Sequence, residues 1–421
     1  MDKIFDLMLS DTIRNNFVRK FSGRHYYDTE ELEPTKQYIL SDEYVEDVNK
    51  LKRGEYYFPL PELRRIQKHD SKRYRKIYLF PDKTKFLLKI MVFALNSLDS
   101  MYSDSLYSFR RNKSHRYFFK KINEIDPERK YYVVKTDVHA YAESIDQDIL
   151  LKVLKKIFKD DPEYYNFMEW LLKRNQYIFN GKVVSEKFAL TCGLPLGSFF
   201  YNIYLMHIDT YLETHYDLYM RYSDDIAIFC KTEKDAIEAR KYLDEQLAKV
   251  KLELNLSKTK TYVPGEPFEI LGFEVTAHQV DVSKFSLMKT LKKIDYKELA
   301  LVKMQRKENL PEEKIFKLAF DYYKHLFFGD ERTPSAKSWT VWTFATITTD
   351  KSLKIIDRRM QRFFRVILTK KRSDSCYRIK YSELKKRGYY SLVNLYHHRD
   401  NLKLAKRKIL GKYNPKENIS K

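Results

Sequence analysis

Between Tyr131 and Thr136 the chain runs YYVVKT, an apolar stretch of strand length, and Asp137 falls where it ends. Beyond Asp137 the spacing turns helical. Leu150, Val153, Leu154 and Ile157 share one side, and Ser144 is the candidate N-cap. Farther on, Tyr219, Met220 and Tyr222 lead into two adjacent acids, Asp224 and Asp225, and Ile226, Ala227, Ile228 and Phe229 lead out. Aromatic and β-branched residues on both sides of a short polar tip predict a β-hairpin. KTKFLLKIMVFALNSLDSMY, with Phe86, Ile90, Phe93 and Leu98 at helical spacing, predicts a helix with a buried face, and ELEPTKQYILSDEYVEDVNKLKRG a short helix ending near Gly54. EKDAIEARKYLDEQLAKVKLELNLS predicts a helix leading into a strand, and FEILGFEV a short strand with Gly272 at a bulge or close approach. Late in the chain Leu353, Ile356, Met360, Phe363 and Ile367 repeat at helical spacing, with Lys354, Arg358, Arg362 and Arg365 on the other faces. The pattern is that of an α+β fold, a small sheet layer with acids at one edge, followed by a helical region.

Charge narrows the class of partner. Among 421 residues, 80 Lys and Arg outnumber 58 Asp and Glu, for a formal charge of +22. Such an excess calls for a polyanion, and nucleic acid is the default. Thirty-four tyrosines among the basic residues suit stacking on bases as well as packing. No apolar run approaches the ~18–20 residues of a membrane-spanning helix. The start, MDKIFDLMLSD, has acids where a secretory leader would be basic. Cys192, Cys230 and Cys376 form no paired spacing, which predicts neither a disulfide nor a zinc framework and points to a reducing, cytoplasmic setting.

The acids are the first candidate chemistry. Two neighbouring carboxylates at a tight turn repel each other, so a cation explains Asp224 and Asp225, although Asp is also ordinary turn chemistry. Asp137, at the end of a strand and before a helix, is placed to hold a ligand or metal. SKRYRKIYLFP, with Arg73 and Arg75, and LYSFRRNKSHR, with Arg110, Arg111 and Lys113 before a helix, read either as phosphate-gripping surfaces or as solvated basic faces. Gly193, Pro195 and Gly197 make a tight turn opening a helix through Asn202, Leu205 and Asp209, with a spacing unlike a P-loop or a dinucleotide fingerprint. Lys258 and Lys260 follow in KTKTYV.

Read together, these segments resemble bacterial reverse transcriptases, in the lineage shared with group II intron and retron enzymes. KTDVHAYAESI resembles the first palm motif, GLPLG with NIYL the second, YSDD the catalytic hairpin, ELNLSKTK the fourth and ILGFEV the fifth. SKRYRKIYLFP and LYSFRRNKS are similar to the fingers motifs, so the resemblance covers about Pro59 to Val275. It implies a right-hand polymerase: an N-terminal helical extension (1–56), fingers (57–130), a palm with an inserted fingers segment (131–280) and a helical thumb and C-terminal RNA-binding region (281–421). It also implies RNA-directed DNA synthesis by two-metal nucleotidyl transfer onto a 3′-hydroxyl or protein primer, with RNA template, DNA product and dNTPs as partners. Two Mg²⁺, or Mn²⁺ in their place, would be held by Asp137, Asp224, Asp225 and the carbonyl of Val138. Arg73, Arg75, Tyr141, Ala142, Pro195, Gly197 and Lys258 would meet the nucleotide, Lys258 or Lys260 serving as proton donor or charge stabiliser. Arg110, Arg111, Lys113, Gly272, Arg358 and Arg362 would meet nucleic acid.

Three departures stand out. Leu196 replaces a Gln common in relatives, and the stretch from Gly197 to NIYL is about one helical turn shorter. Ala142 stands where relatives place the aromatic ring that collides with a ribose 2′-hydroxyl, with Tyr141 one place earlier. The C-terminal segments SWTVWTFATITTDKSLKIIDRRMQRFF and GYYSLVNLYHHR look like those of stand-alone, phage-defence reverse transcriptases, which would copy a cognate structured non-coding RNA. Alternatives are a group II intron or other retroelement enzyme, an RNA-templated RNA polymerase, or a non-catalytic RNA-binding scaffold. Oligomeric state is open.

Overall fold

A computed structural model describes residues 3–22, 29–67, 74–111, 113–185, 193–329 and 338–398. These fall into two compact units, the first reaching Glu266 and the second beginning at Pro267.

The first unit opens with four helices, α1 (Ile4–Leu9), α2 (Asp11–Ser22), α3 (Thr29–Leu40) and α4 (Asp42–Lys52). The single helix expected over residues 31–54 is thus two, because Ser41 leaves the helical region and its hydroxyl caps α4 by accepting from the Tyr44 amide. Strands β1 (Glu62–Gln67) and β2 (Tyr74–Leu79) follow, then α5 (Asp82–Leu95), α6 (His115–Ile125) and β3 (Tyr132–Asp137). Next come α7 (Tyr141–Ser144), α8 (Gln147–Ile157), α9 (Pro162–Lys173), β4 (Gln176–Phe179) and β5 (Lys182–Ser185). Ser144 ends α7 rather than capping α8. The cap is Asp146, whose carboxylate accepts from the amides of Asp148 (3.0 Å) and Ile149 (3.1 Å). The unit closes with α10 (Gly197–Tyr204), α11 (Met206–His215), β6 (Leu218–Tyr222), β7 (Asp225–Cys230), α12 (Glu233–Lys249) and β8 (Lys260–Tyr262). The expected helix through Asn202, Leu205 and Asp209 breaks at Leu205 into α10 and α11.

Two sheets frame this unit. One has the order β2-β1-β4-β5. The other, β6-β7-β3-β8, is antiparallel throughout. Its central strand β7 is buried from Ile226 to Cys230, with α12 packed on it and on β3. That burial explains a near-continuous apolar run instead of alternation.

In the second unit β9 (Phe268–Ile270), β10 (Phe273–Val275) and β11 (Val280–Val282) form an antiparallel sheet of order β11-β10-β9. FEILGFEV is therefore a hairpin, not one strand. Leu271 (φ +52°) and Gly272 (φ +82°) make a two-residue turn needing positive φ at both central positions. A Cβ at Gly272 would lie 2.9 Å from the Ser286 hydroxyl, so the glycine lets the turn pack on the following helix. Among its described residues six α-helices follow: α13 (Lys284–Glu308), α14 (Glu312–Phe328), α15 (Trp339–Phe344), α16 (Lys351–Thr369), α17 (Tyr381–Lys386) and α18 (Leu392–His397). As the spacing predicts, α16 buries Leu353, Ile356, Met360, Phe363 and Ile367. Part of its basic surface is bracing: Arg359 pairs with buried Glu298 of α13, as does Arg372 just beyond the end of α16. Among the described residues no helix is long and apolar enough to cross a membrane.

Candidate active site

The β3–β7 register sets Asp137 directly opposite Asp225, one residue from the hairpin tip. Tyr222 and Asp225 close the β6–β7 hairpin around the two-residue turn Ser223–Asp224. Ser223 adopts φ +61°, where glycine or asparagine is commoner, so this turn needs outside support. The Val138 amide donates to the Asp224 carbonyl (3.1 Å), locking the end of β3 to the tip. Two antiparallel strands thereby bring three carboxylates to one sheet edge.

The loop before β8 grips Asp137. The Asn255 amide donates to the Asp137 carbonyl (2.8 Å), its side-chain amide to one carboxylate oxygen (3.0 Å), and Lys258 Nζ to the other (2.9 Å). Thr136 and Thr259 share a hydroxyl hydrogen bond of 2.6 Å just behind. Lys135 Nζ stands 3.4 Å from Asp225. Neither Asn255 nor Lys135 was a sequence candidate. An Asn in a turn reads as turn chemistry, whereas the signal for Lys135 was a cation inside an otherwise apolar strand.

Burial pushes the Asp224 carboxyl up to about 6, helped by the charges of Asp225 and Asp137. Asp225 is also raised, again chiefly by burial, with Lys135 opposing. Burial disfavours the Lys258 charge, but its hydrogen bond and attraction to Asp137 prevail and raise the ammonium above its ordinary value. Lys258 therefore stays charged at neutral pH, which fits charge stabilisation better than ready proton donation.

Hard carboxylate oxygens that burial keeps from ionising freely, at Asp224 and Asp225, fit a divalent, oxygen-seeking cation. Among the described residues no three acidic, His or Cys side chains close on one point as a self-sufficient cage. Mg²⁺ is usually held by one or two carboxylates with waters and substrate phosphates. Among the described residues no main-chain donor meets the Val138 carbonyl, the fourth oxygen of the expected set. A proton and a metal would compete for Asp224, so metal affinity should fall about fivefold as pH drops from 6 to 5. Calorimetric Mg²⁺ titration checks this, and unchanged affinity between pH 7 and 5 would contradict it.

The other candidates separate. Arg73 lies outside the described residues, and for Arg75 only its backbone, in β2, is described. Pro195 lines an open cleft of about 330 Å³ with Leu79, Phe80, Lys85, Lys89 and Val92, and Gly197 begins α10. Tyr141 is 4% exposed, its hydroxyl held by the Tyr201 carbonyl (2.7 Å), so its ring is buried packing; Ala142 follows on α7. Lys260 is drawn away to Glu266. Arg110 is a correction: its guanidinium is buried against Asp99 and the carbonyls of Ser103 and Leu106, bracing a loop instead of facing phosphate. Lys113 pairs with Asp104, while exposed Arg111 lies over the Phe93 ring at 4.8 Å. Gly272, Arg358 and Arg362 belong to the second unit, Arg358 exposed and Arg362 bonded to the Arg372 carbonyl.

Comparison with known proteins assigns about half of the chain to a family. Residues 66–275, about half of the chain, match the reverse transcriptase (RNA-dependent DNA polymerase) family. No curated protein sequence matches the chain. Among solved structures it is similar to apo telomerase from Candida tropicalis, at 12% identity and a TM-score of 0.47 over 84% of this chain and 61% of that one. A form of that telomerase truncated from its C-terminal domain gives 13% identity and 0.41, over 56% and 58%. Telomerase from Candida albicans in complex with a TWJ fragment of telomeric RNA gives 13% and 0.43, over 90% and 66%. The chain thus spans about three fifths of the length of the structures it matches. From residue 66 to 275, taking in Asp137, Asp224 and Asp225, the chain carries the domain of a reverse transcriptase, an RNA-directed DNA polymerase.

Proposed function

We propose that the protein makes DNA on a cognate structured RNA, using Mg²⁺ held by Asp137 and Asp224, in antiphage defence in the cytoplasm. The observation that carries the catalytic part is the register of β3 against β7, which sets Asp137 beside a hairpin tip bearing Asp224 and Asp225. Asp137, Asp224 and the Val138 carbonyl would hold the ions, and Asp225, tethered to Lys135, would support them from one side. Bound there, the ions would stabilise charge on the attacking and leaving oxygens of phosphoryl transfer, and Mn²⁺ would be an acceptable substitute. Lys258 adds fixed positive charge at the Asp137 edge, and Arg73 and Arg75 are proposed to hold the triphosphate. The net charge of +22 supports a long polyanionic partner. Exposed Arg111 and Arg358 are surface cations of the kind that tracks its backbone.

The defence role rests on the resemblance of the C-terminal segments and is tested by the nucleic acid that co-purifies with the protein. One defined RNA, with DNA complementary to it, is the expected yield. An intron RNA flanking the coding sequence would replace defence by mobility.

A further inference from the structure

The catalytic turn rests on a buried polar hub that the chemistry itself does not use. Arg221, in β6 two residues before Ser223, and Asp209, in α11, are both 0% exposed. Arg221 Nε donates to Asp209 Oδ1 (2.7 Å) and Nη2 to Oδ2 (2.5 Å), and the Tyr219 hydroxyl adds a third bond to that carboxylate (2.6 Å). The remaining guanidinium donors reach three main-chain carbonyls: Tyr201 (3.0 Å), Asn202 (2.8 Å) and Ser223 (3.2 Å). All five N–H donors are thereby occupied. From the other side the Ser108 hydroxyl accepts from the Ser223 amide (2.9 Å) and donates to the Asn202 side chain (3.0 Å). The left-handed residue beside Asp224 is held by its carbonyl and its amide alike.

Stability does not account for this arrangement. Fully buried ion pairs commonly give way to apolar residues with little loss. No apolar side chain, however, supplies donors to three separate carbonyls, two on α10 and one on the turn. We infer that Arg221, with Asp209 as its anchor and Ser108 as its counterpart, is a positioning residue that fixes Asp224 for metal binding and ties the tip to α10. The same Tyr201 carbonyl accepts from Tyr141, so the helix after Asp137 joins the hub. Arginine is required over lysine because only a planar fork can serve Asp209 and the carbonyls together.

The inference rests on Asp224 being a metal ligand and is tested with the full chain. Mn²⁺ binding is read by electron paramagnetic resonance, with Asp224→Asn defining the signal from other sites, beside steady-state primer extension. Arg221→Lys should keep a cooperative melt yet lose about 10–100-fold in Mn²⁺ affinity. Its kcat should fall about 100-fold, while KM for primer–template stays within about twofold. A folded Arg221→Lys with wild-type Mn²⁺ affinity and kcat would overturn the inference. Should that variant fail to fold, Ser108→Ala decides: weakened Mn²⁺ binding supports the hub, and unchanged binding refutes it. A wild-type protein whose Mn²⁺ binding is indifferent to Asp224→Asn would instead refute the metal assignment itself.

Discussion

Asp224→Asn is expected to abolish nucleotide addition, by about 1,000-fold or more, while making the metal-free protein more stable. Both halves come from one cause. The Asp224 carboxyl is pushed up to about 6 from 3.8 by burial and by Asp225 and Asp137, so its charged form is disfavoured in the fold. A carboxyl that binds its proton more tightly folded than unfolded lowers stability as pH rises through about 4 to 6, and the deficit persists above that window. A shift of that size is worth about 3 kcal/mol at neutral pH, and partial exposure discounts it to about 2. An amide of the same shape removes that penalty, so the unfolding midpoint measured without metal should rise by a few degrees. At pH 4 the gain should vanish, because the wild-type carboxyl is then protonated in the fold. An inactive variant no more stable than wild type at pH 7.5 would mean that Asp224 is not the strained, metal-seeking carboxylate described above.

Gly193→Ala should also be severe, for a steric reason. Gly193 has φ +91°, and an added Cβ would lie 2.5 Å from Ile77 Cγ2, 2.7 Å from the Tyr78 carbonyl oxygen and 2.9 Å from its nitrogen. Two of those three atoms are backbone of β2, which is paired to β1 along its whole length and has little room to retreat. Left-handed strain and displaced strand together should cost about 2–4 kcal/mol. The same shift moves β2, which carries Arg75, against Pro195 in the cleft they border. A lowered unfolding midpoint with at least a tenfold loss in kcat/KM for nucleotide is expected. A variant with wild-type melting and kinetics would show that the close approach of this turn to β2 is dispensable.

What the sequence revealed and concealed follows from the physics of each segment. Strand β3 and the β6–β7 hairpin were readable because apolar runs flank polar tips, and that pattern survives any tertiary context. The helix caps were less so: Ser144 and Asp146 are both competent N-caps two residues apart, and only the separate turn of α7 decides between them. LGF read as one strand because its turn places Leu271, a poor residue for positive φ, beside Gly272. The basic run at Arg110 could not be sorted from sequence, since an arginine facing Asp99 and one facing phosphate look alike until the loop is folded. Arg221 held the clearest missed signal. A guanidinium inside LYMRY, a strand buried at four of five positions, demanded a buried carboxylate somewhere in the chain. Asp209 was in view on its helix, but nothing local linked the two.

The measurement that bears most directly on the central claim is extension of a DNA primer annealed to an RNA of known sequence, with Mg²⁺ and either dNTPs or NTPs. With the Tyr141 ring buried and no ring at Ala142, the outcome with the two sugars is the sharpest reading of the site. Wild-type protein should yield DNA complementary to the RNA, from dNTPs in preference to NTPs, and Asp224→Asn should yield none. A product that ignores the template, consists of ribonucleotides, or forms equally with Asp224→Asn would contradict it.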